Sequence, residues 1–214
     1  MTLPRSIFVA CPCRDGIQPE TVHMLCGLPM LFHETGIVSR LQIDRGGSFL
    51  PHVRNKLAAD YIASDMDAVL MVDDDVSVPI DVIAKMILAD VDYVAVAFAR
   101  RENEPGKPVV PAIEPEFFSP PRRRRGGLIE VKRAGVALAL VRRVVFDSIL
   151  DFPRMGWPPN FFDSIDGESE DLSFSRRWHT AREAQHLLVD AQTSHRGVRF
   201  NLADYLASKV DSEP

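Results

Sequence analysis

The sequence predicts an α/β protein with helices covering both faces of a mostly parallel central sheet. Two observations carry that class. Over the first hundred residues, apolar runs of strand length alternate with segments of helical period, in the order strand, helix, strand, helix, strand, helix, strand. One of those runs, AVLMV at 68–72, then breaks into three consecutive aspartates, Asp73, Asp74 and Asp75. In an open α/β sheet, the carboxyl ends of the strands are where ligands bind.

Each element has its own signal. Residues 6–12, SIFVACP, are an apolar first strand, and Arg14-Asp15-Gly16 is the turn that leaves it. Residues 19–34 have Pro19 in a first turn and Val22, Leu25 and Cys26 at helical spacing. Residues 38–43 form a shorter second strand with partial alternation, followed by a Gly46-Gly47 loop in which Ser48 can cap the next helix. Leu50, Val53, Leu57, Tyr61 and Ile62 keep a helical period up to about Ser64. After the aspartates, Pro79 opens a helix with Ile80, Ile83, Ala84, Ile87 and Leu88 on one face. Residues 93–98 are nearly all apolar, as a central strand would be.

Beyond Arg101 the character changes. Residues 102–121 are rich in proline and acid without a period, which predicts a long loop. The arginine run 122–125 and Gly126-Gly127 predict an exposed turn; it is either simply solvated or a patch for an anionic acceptor or lipid surface. Residues 128–141 resume β character, broken at Gly135, and 142–150 form a short helix. An irregular stretch spans 151–167, then a helix 168–184, a last strand 186–190 and a closing helix 201–209. No repeat divides the chain, which predicts one domain over residues 1–214 with halves at about 1–101 and 102–214.

Composition sets bounds. A hydrophobic share of 46% and a charged share of 26% are those of a globular protein. A net charge of -5 argues against a general nucleic-acid binder, which neutralises phosphates with Lys and Arg. No apolar run reaches a membrane span and no signal peptide begins the chain, so no transmembrane segment is expected. Cys11, Cys13 and Cys26 form neither zinc-type pairs nor a disulfide framework, which points to a reducing cytoplasm.

The aspartates carry the chemistry. Alternation along an extended chain sends Asp73 and Asp75 to one side and Asp74 to the other. Two carboxylates on one side repel, and a hard cation such as magnesium, calcium or manganese between them relieves that cost. The other reading is a solvated acidic turn. A Walker B strand would need a GxxxxGK segment followed by Ser or Thr, which is absent. A dinucleotide fold would need GxGxxG after the first strand, where CPCRDG stands instead.

FVACPCRDG, VRNKLAADYIASDMDAVLMVDDDVSVP, AGVALALVRRVVFDSI, GESEDLSFSRR and the late His195-Arg196-Gly197 resemble, in that order, the short bacterial and phage forms of the GT-A-fold glycosyltransferases. The resemblance implies a GT-A-like (Rossmann-like) mixed, mostly parallel sheet, whose first half binds a nucleotide and whose second half meets an acceptor. It implies a UDP-sugar donor, Mn2+ or Mg2+, and hexosyl transfer to an unidentified glycan, lipid or protein. Asp73 and Asp75 match the DxD-type metal motif and His195 a third ligand. Pro12, Cys13, Arg54, Asp73 and Asp74 are the matching nucleotide-side residues, the backbone after Cys13 touching the base and Arg54 meeting either the diphosphate or an aspartate. Glu170 and Asp171 match the acidic pair, one as general base and one holding sugar hydroxyls, with Asp171 preferred as the base. Taken alone, the pair is equally a favourable start to a helix. Phe174 and Trp178, at i and i+4, are expected in the core. Val136, where the family has a small residue, is expected to alter the pocket floor. Two other classes stay open: a nucleotidyltransferase, and a binding module that keeps the fold and ion without turnover.

Overall fold

A computed structural model of the chain describes residues 3–45, 49–100, 109–151, 160–181 and 184–210. The Gly46-Gly47 loop, the Ser48 cap, residues 102–108 of the expected loop 102–121 and residues 152–159 of the irregular stretch lie outside those residues.

The chain runs β1 (Ser6–Pro12), α1 (Pro19–Thr35), β2 (Val38–Asp44), α2 (Leu50–Ser64), β3 (Ala68–Val72), β4 (Val76–Ser77), α3 (Ile80–Leu88) and β5 (Tyr93–Ala95). It continues through β6 (Glu116–Phe117), β7 (Arg123–Arg124), β8 (Leu128–Arg133), β9 (Leu138–Arg142), α4 (Arg143–Asp151), α5 (Glu170–Ala181), β10 (Gln185–Leu188), β11 (Gln192–His195), β12 (Val198–Asn201) and α6 (Leu202–Val210). The main sheet has the order β2-β1-β3-β9-β5-β10-β8-β6, with β7 on β8. β1 pairs parallel with β2 and β3, and β10 parallel with β5. β9 lies antiparallel between β3 and β5, and β8 antiparallel to β10. The sheet is therefore mixed, with β2, β1, β3, β5 and β10 running one way. Tyr93–Ala95 is a central strand, as its apolar run predicts.

Burial on both faces explains the apolar strands. In β1, Phe8 and Ala10 enter one core with Leu57, Tyr61, Phe146, Phe174 and Trp178. Ile7, Val9 and Cys11 enter the other with Leu25, Phe32, Ile83 and Met86. Alternate residues of one strand thus fill two layers, α2, α4 and α5 on one side and α1 and α3 on the other. Phe174 and Trp178 are in the core as expected, and Val136 is buried there too.

Three expectations need correction. In α1 the buried face is Thr21, Met24, Leu25, Leu28 and Phe32, whereas Val22 and Cys26 point outward. In α3 the buried face is Val82, Ile83, Met86 and Ile87, leaving Ile80 and Leu88 exposed. Apolar residues continue partway around both helices, so spacing alone sets the phase wrongly. The aspartates are also not extended chain. Asp73 donates its N–H to the Ala137 carbonyl, β3 stops, and residues 73–75 turn into β4. Side alternation does not hold across that turn. The second sheet, β12-β11-β4, was not legible: β11 is Gln-Thr-Ser-His, too polar for a strand signal.

Among the described residues no helix is long and apolar enough to cross a membrane.

Candidate active site

β1 and β3 end side by side, and their exits form a cleft of about 220 Å³ lined by Pro12, Cys13, Asp73, Asp74, Asp75 and Arg196 among others. A larger groove, about 1100 Å³, lies between α1 and the β4–β11 pair and holds none of the candidate residues. The cleft therefore gathers four of the nucleotide-side residues with one metal candidate more, Asp75.

Each aspartate of the turn has different work. Asp74 accepts the Arg14 N–H at 3.0 Å, and its own carbonyl accepts from Gln18 at 2.8 Å, so it braces the β1–α1 turn against the β3 exit. Asp73 accepts from Arg54 Nη2 at 2.7 Å. Asp75 is almost wholly buried, at 3% exposure, with Oδ2 on Arg196 Nε at 3.0 Å and Oδ1 3.5 Å from His195 Nε2. β11 pairs with β4 so that His195 lies opposite Val76, which brings the histidine from the far end of the chain beside Asp75.

His195 is oriented from behind. Its Nδ1 is 2.7 Å from the Ala99 carbonyl, and a carbonyl only accepts, so Nδ1 bears the proton and Nε2 faces the carboxylate. That is the usual anchoring of a metal-ligating histidine. The 3.5 Å between His195 Nε2 and Asp75 Oδ1 also suits two ligands of one ion, which at bond lengths of about 2.1 Å and a right angle stand about 3 Å apart. A carboxylate, a second carboxylate nearby and an imidazole form a mixed oxygen and nitrogen donor set that suits Mn2+ better than Mg2+, which takes oxygen ligands. Among the described residues, no three such side chains are yet gathered closely enough to form a cage, since Arg54 holds Asp73 on its own side.

Arg54 is the residue between the two halves of the site. It is 1% exposed, with Nε 3.4 Å from Glu170 Oε1 and its guanidinium 5.9 Å from the Phe162 ring centre. Burial works against its charge, but Asp73, Glu170 and Asp171 together hold its pKa above the ordinary value. Burial pushes the Asp73 carboxyl up to about 6, Arg54 pulling it down and Asp75 and Asp171 adding to the rise. The same burial, then Asp73 and Asp74, push the Cys11 thiol up to about 12, which leaves it a packing residue. Of the two sequence readings for Arg54, the structure has it on an aspartate of the turn.

Glu170 and Asp171 open α5, as expected, and point differently. Asp171 Oδ1 accepts from Ser169 Oγ at 2.5 Å and from the Leu172 N–H at 2.8 Å. Its Oδ2 lies close over Gly135, where a β-carbon would stand 3.1 Å from it. A side chain there would press first on Ile113, 2.7 Å from that β-carbon, and then on Asp171.

Three residues to which the sequence assigned no role are placed here. Arg196 binds Asp75 twice, through Nε and through its N–H to the Asp75 carbonyl at 3.1 Å. Arg196 and Gly197 both have positive φ, 48° and 81°, the two-residue turn of a tight hairpin between β11 and β12. The Arg-Gly pair was the available signal. Asn55 donates to Asp163 at 2.7 Å and accepts from the Phe162 N–H at 2.8 Å, so it fixes the segment under Arg54. Gly135 was noted only as a strand break. The arginine run is partly committed: Arg122 and Arg124 pair with Glu130 at 3.5 and 2.5 Å.

No family model matches the chain, and no curated protein does. Among solved structures it is similar to A197 from STIV, with a TM-score of 0.50 and 13% identity over 93% of this chain and 91% of that one. It is also similar to GalNAc-T7, crystallised with UDP, GalNAc and Mn2+, with a TM-score of 0.54 and 10% identity over 90% of this chain. This chain spans 43% of the GalNAc-T7 chain. These likenesses establish the architecture, a GT-A-like α/β fold with helices on both faces of a mostly parallel central sheet.

Proposed function

We propose that the chain is a metal-dependent glycosyltransferase, most suited to a UDP-sugar donor, acting on an acceptor that is a glycan, lipid or protein. The observation that carries this reading is the meeting of Asp75 and His195 across β4 and β11, beside Asp73 at the β3 exit. The shared fold with a structure that holds UDP, GalNAc and Mn2+ supports it.

Asp73, Asp75 and His195 are the residues to hold Mn2+ or Mg2+. When bound, the ion supplies positive charge that stabilises the diphosphate as the glycosyl bond breaks. The chain's own residues do the rest. The Pro12–Cys13 backbone walls the cleft on the nucleotide side, and Asp74 keeps that wall in place through Arg14. Arg54 holds Asp73 and Glu170 in register across the site. Asp171, with Oδ1 committed to Ser169 and Leu172, presents Oδ2 as the base. It takes the proton of the acceptor hydroxyl while that oxygen bonds to the sugar carbon and the donor's C–O electron pair leaves with the diphosphate. Glu170 is the partner for sugar hydroxyls.

The test is calorimetric titration of UDP with and without Mn2+, in wild type and Asp75→Asn, followed by donor turnover with added metal. Metal-dependent UDP binding lost in the variant, together with donor cleavage in wild type, is the expected result. Metal-dependent binding that survives Asp75→Asn overturns the metal assignment. Binding with no turnover in any acceptor mixture would make the chain a nucleotide-sugar-binding module.

A further inference from the structure

β2 is the outer strand of the main sheet; among the described residues it pairs with β1 alone. It is seven residues long, and Leu41 and Ile43 remain 48% and 43% exposed on it. An exposed edge of that length invites another strand unless it is guarded by proline, a bulge or inward charge. VSRLQID has no proline, and its two charges both lie on the α2 face, Arg40 turned over the Phe8 ring and Asp44 paired with Lys56 of α2.

The hydrogen bonds reveal which groups face outward. Val38 donates its N–H to the Arg5 carbonyl at 2.9 Å, and the Asp44 carbonyl accepts from Cys13 at 2.9 Å. Both groups point toward β1, and backbone groups alternate in direction along a strand, so Arg40 and Gln42 turn inward as well. Ser39, Leu41 and Ile43 then direct their N–H and C=O groups to the open edge. Their side chains lie on the face opposite Arg40 and Gln42, the latter bonded to Asp60 of α2.

We propose that this edge is a self-association surface, on which a second copy of the chain pairs its own β2 antiparallel about a two-fold axis at Leu41. The chemistry of the strand selects both the partner and the register. In a two-fold pair, one residue must face its own copy, because directly opposite residues share a sheet face. With Leu41 on the axis, Ser39 faces Ile43 of the second copy and Ile43 faces Ser39. All three outward N–H groups and all three outward carbonyls of each copy are then satisfied, six hydrogen bonds between copies. Leucine meets leucine beside isoleucine, covering the exposed apolar groups. Arg40 comes opposite Gln42 of the second copy, with Asp44 and Arg40 of that copy as the more distant diagonal neighbours. An axis at Arg40 would instead set two guanidiniums against each other. An axis at Ser39, Gln42 or Ile43 would run part of the ladder past the strand end, Gln42 by setting Ser39 opposite Arg45.

Sedimentation velocity over a concentration series tests it, with three variants. Leu41→Pro removes an outward N–H and leaves the ladder to β1 intact, so it should fold and lose the dimer. Leu41→Lys should do the same by placing two cations on the axis, and it decides the matter if circular dichroism shows the proline variant unfolded. Leu41→Cys in a Cys26→Ser background should form a disulfide dimer on mild oxidation, since hydrogen-bonded antiparallel pairs stand about 5.5 Å apart at Cα, within disulfide range. A wild type that stays monomeric throughout the series overturns the proposal. So does a dimer that survives both Leu41→Pro and Leu41→Lys, and a Leu41→Cys variant that resists cross-linking while wild type dimerises excludes this register.

Discussion

His195 Nδ1 stands 2.7 Å from the Ala99 carbonyl, which turns Nε2 toward the Asp75 carboxylate at 3.5 Å. The hydrogen bond selects the tautomer, and the β4–β11 pairing selects the position. If the pair holds a metal ion, His195→Ala should weaken Mn2+ binding by at least about tenfold, since even residues behind a ligand cost ten- to a hundredfold when lost. UDP binding in the presence of Mn2+ should fall with it. Titration of Mn2+ into wild type and variant checks this. Equal affinities would return His195 to packing against the Phe98 ring edge.

Glu170 and Asp171 are consecutive on α5 and have separated neighbours. Glu170 faces Arg54, whereas Asp171 is held by Ser169 and approaches Gly135. Asp171→Asn preserves shape and removes the proton acceptor, so turnover should drop by about a hundredfold or more with donor binding nearly unchanged. Glu170→Gln should instead disturb Arg54 and weaken donor binding. Initial rates alongside UDP titrations separate the two. If Asp171→Asn keeps full turnover while Glu170→Gln is inactive, the base is Glu170.

β1 and β3 were legible because they are buried on both faces: SIFVACP and AVLMV are apolar enough to announce central strands. The aspartates stood out for the converse reason, three charges at the end of such a run. What stayed hidden depends on pairing at a distance. β4 is very short and β11 is polar, and they become strands only because each finds the other 117 residues away, at Ser77 and Ser194. The reach of Arg196 to Asp75, and of Asn55 to the segment at Phe162, likewise comes from the fold rather than from local pattern. β9 is a similar case. Its apolar run was visible, but nothing local told that it inserts antiparallel between β3 and β5.

His186 gives the stability a pH dependence away from the cleft. Burial lowers its pKa below the ordinary 6.5, outweighing the Tyr93 carbonyl and Glu130, which raise it. In the unfolded chain this imidazole takes up a proton as pH falls through about 6.5, while the folded protein still resists it. Its contribution is therefore present above that pH and is lost as pH falls through the lower, folded value. His186→Asn keeps a donor for the Tyr93 carbonyl and removes the titration. Urea midpoints should fall from pH 7.5 to 5.5 in wild type and fall less in the variant. Parallel curves would show that His186 carries no part of the acid sensitivity.

Arg54 joins stability to the site. Its guanidinium has Asp73 at 2.7 Å and Glu170 at 3.4 Å, and is nearly all buried. Arg54→Met keeps much of the stem and removes the charge, leaving two carboxylates without their cation. Breaking a buried pair on one side costs about 3–5 kcal/mol, and the lower end applies because both carboxylates keep 16% of their surface exposed. The loss should appear as a lower urea midpoint with an unchanged slope. Asp73→Asn in the same chain should recover part of it, because the variant then buries one charge fewer. If Asp73 also ligates a metal ion, Mn2+ should raise the midpoint of Arg54→Met more than that of wild type, the ion standing in for the missing guanidinium. Equal shifts in the two proteins would separate Asp73 from the metal and leave its bond to Arg54 as purely structural.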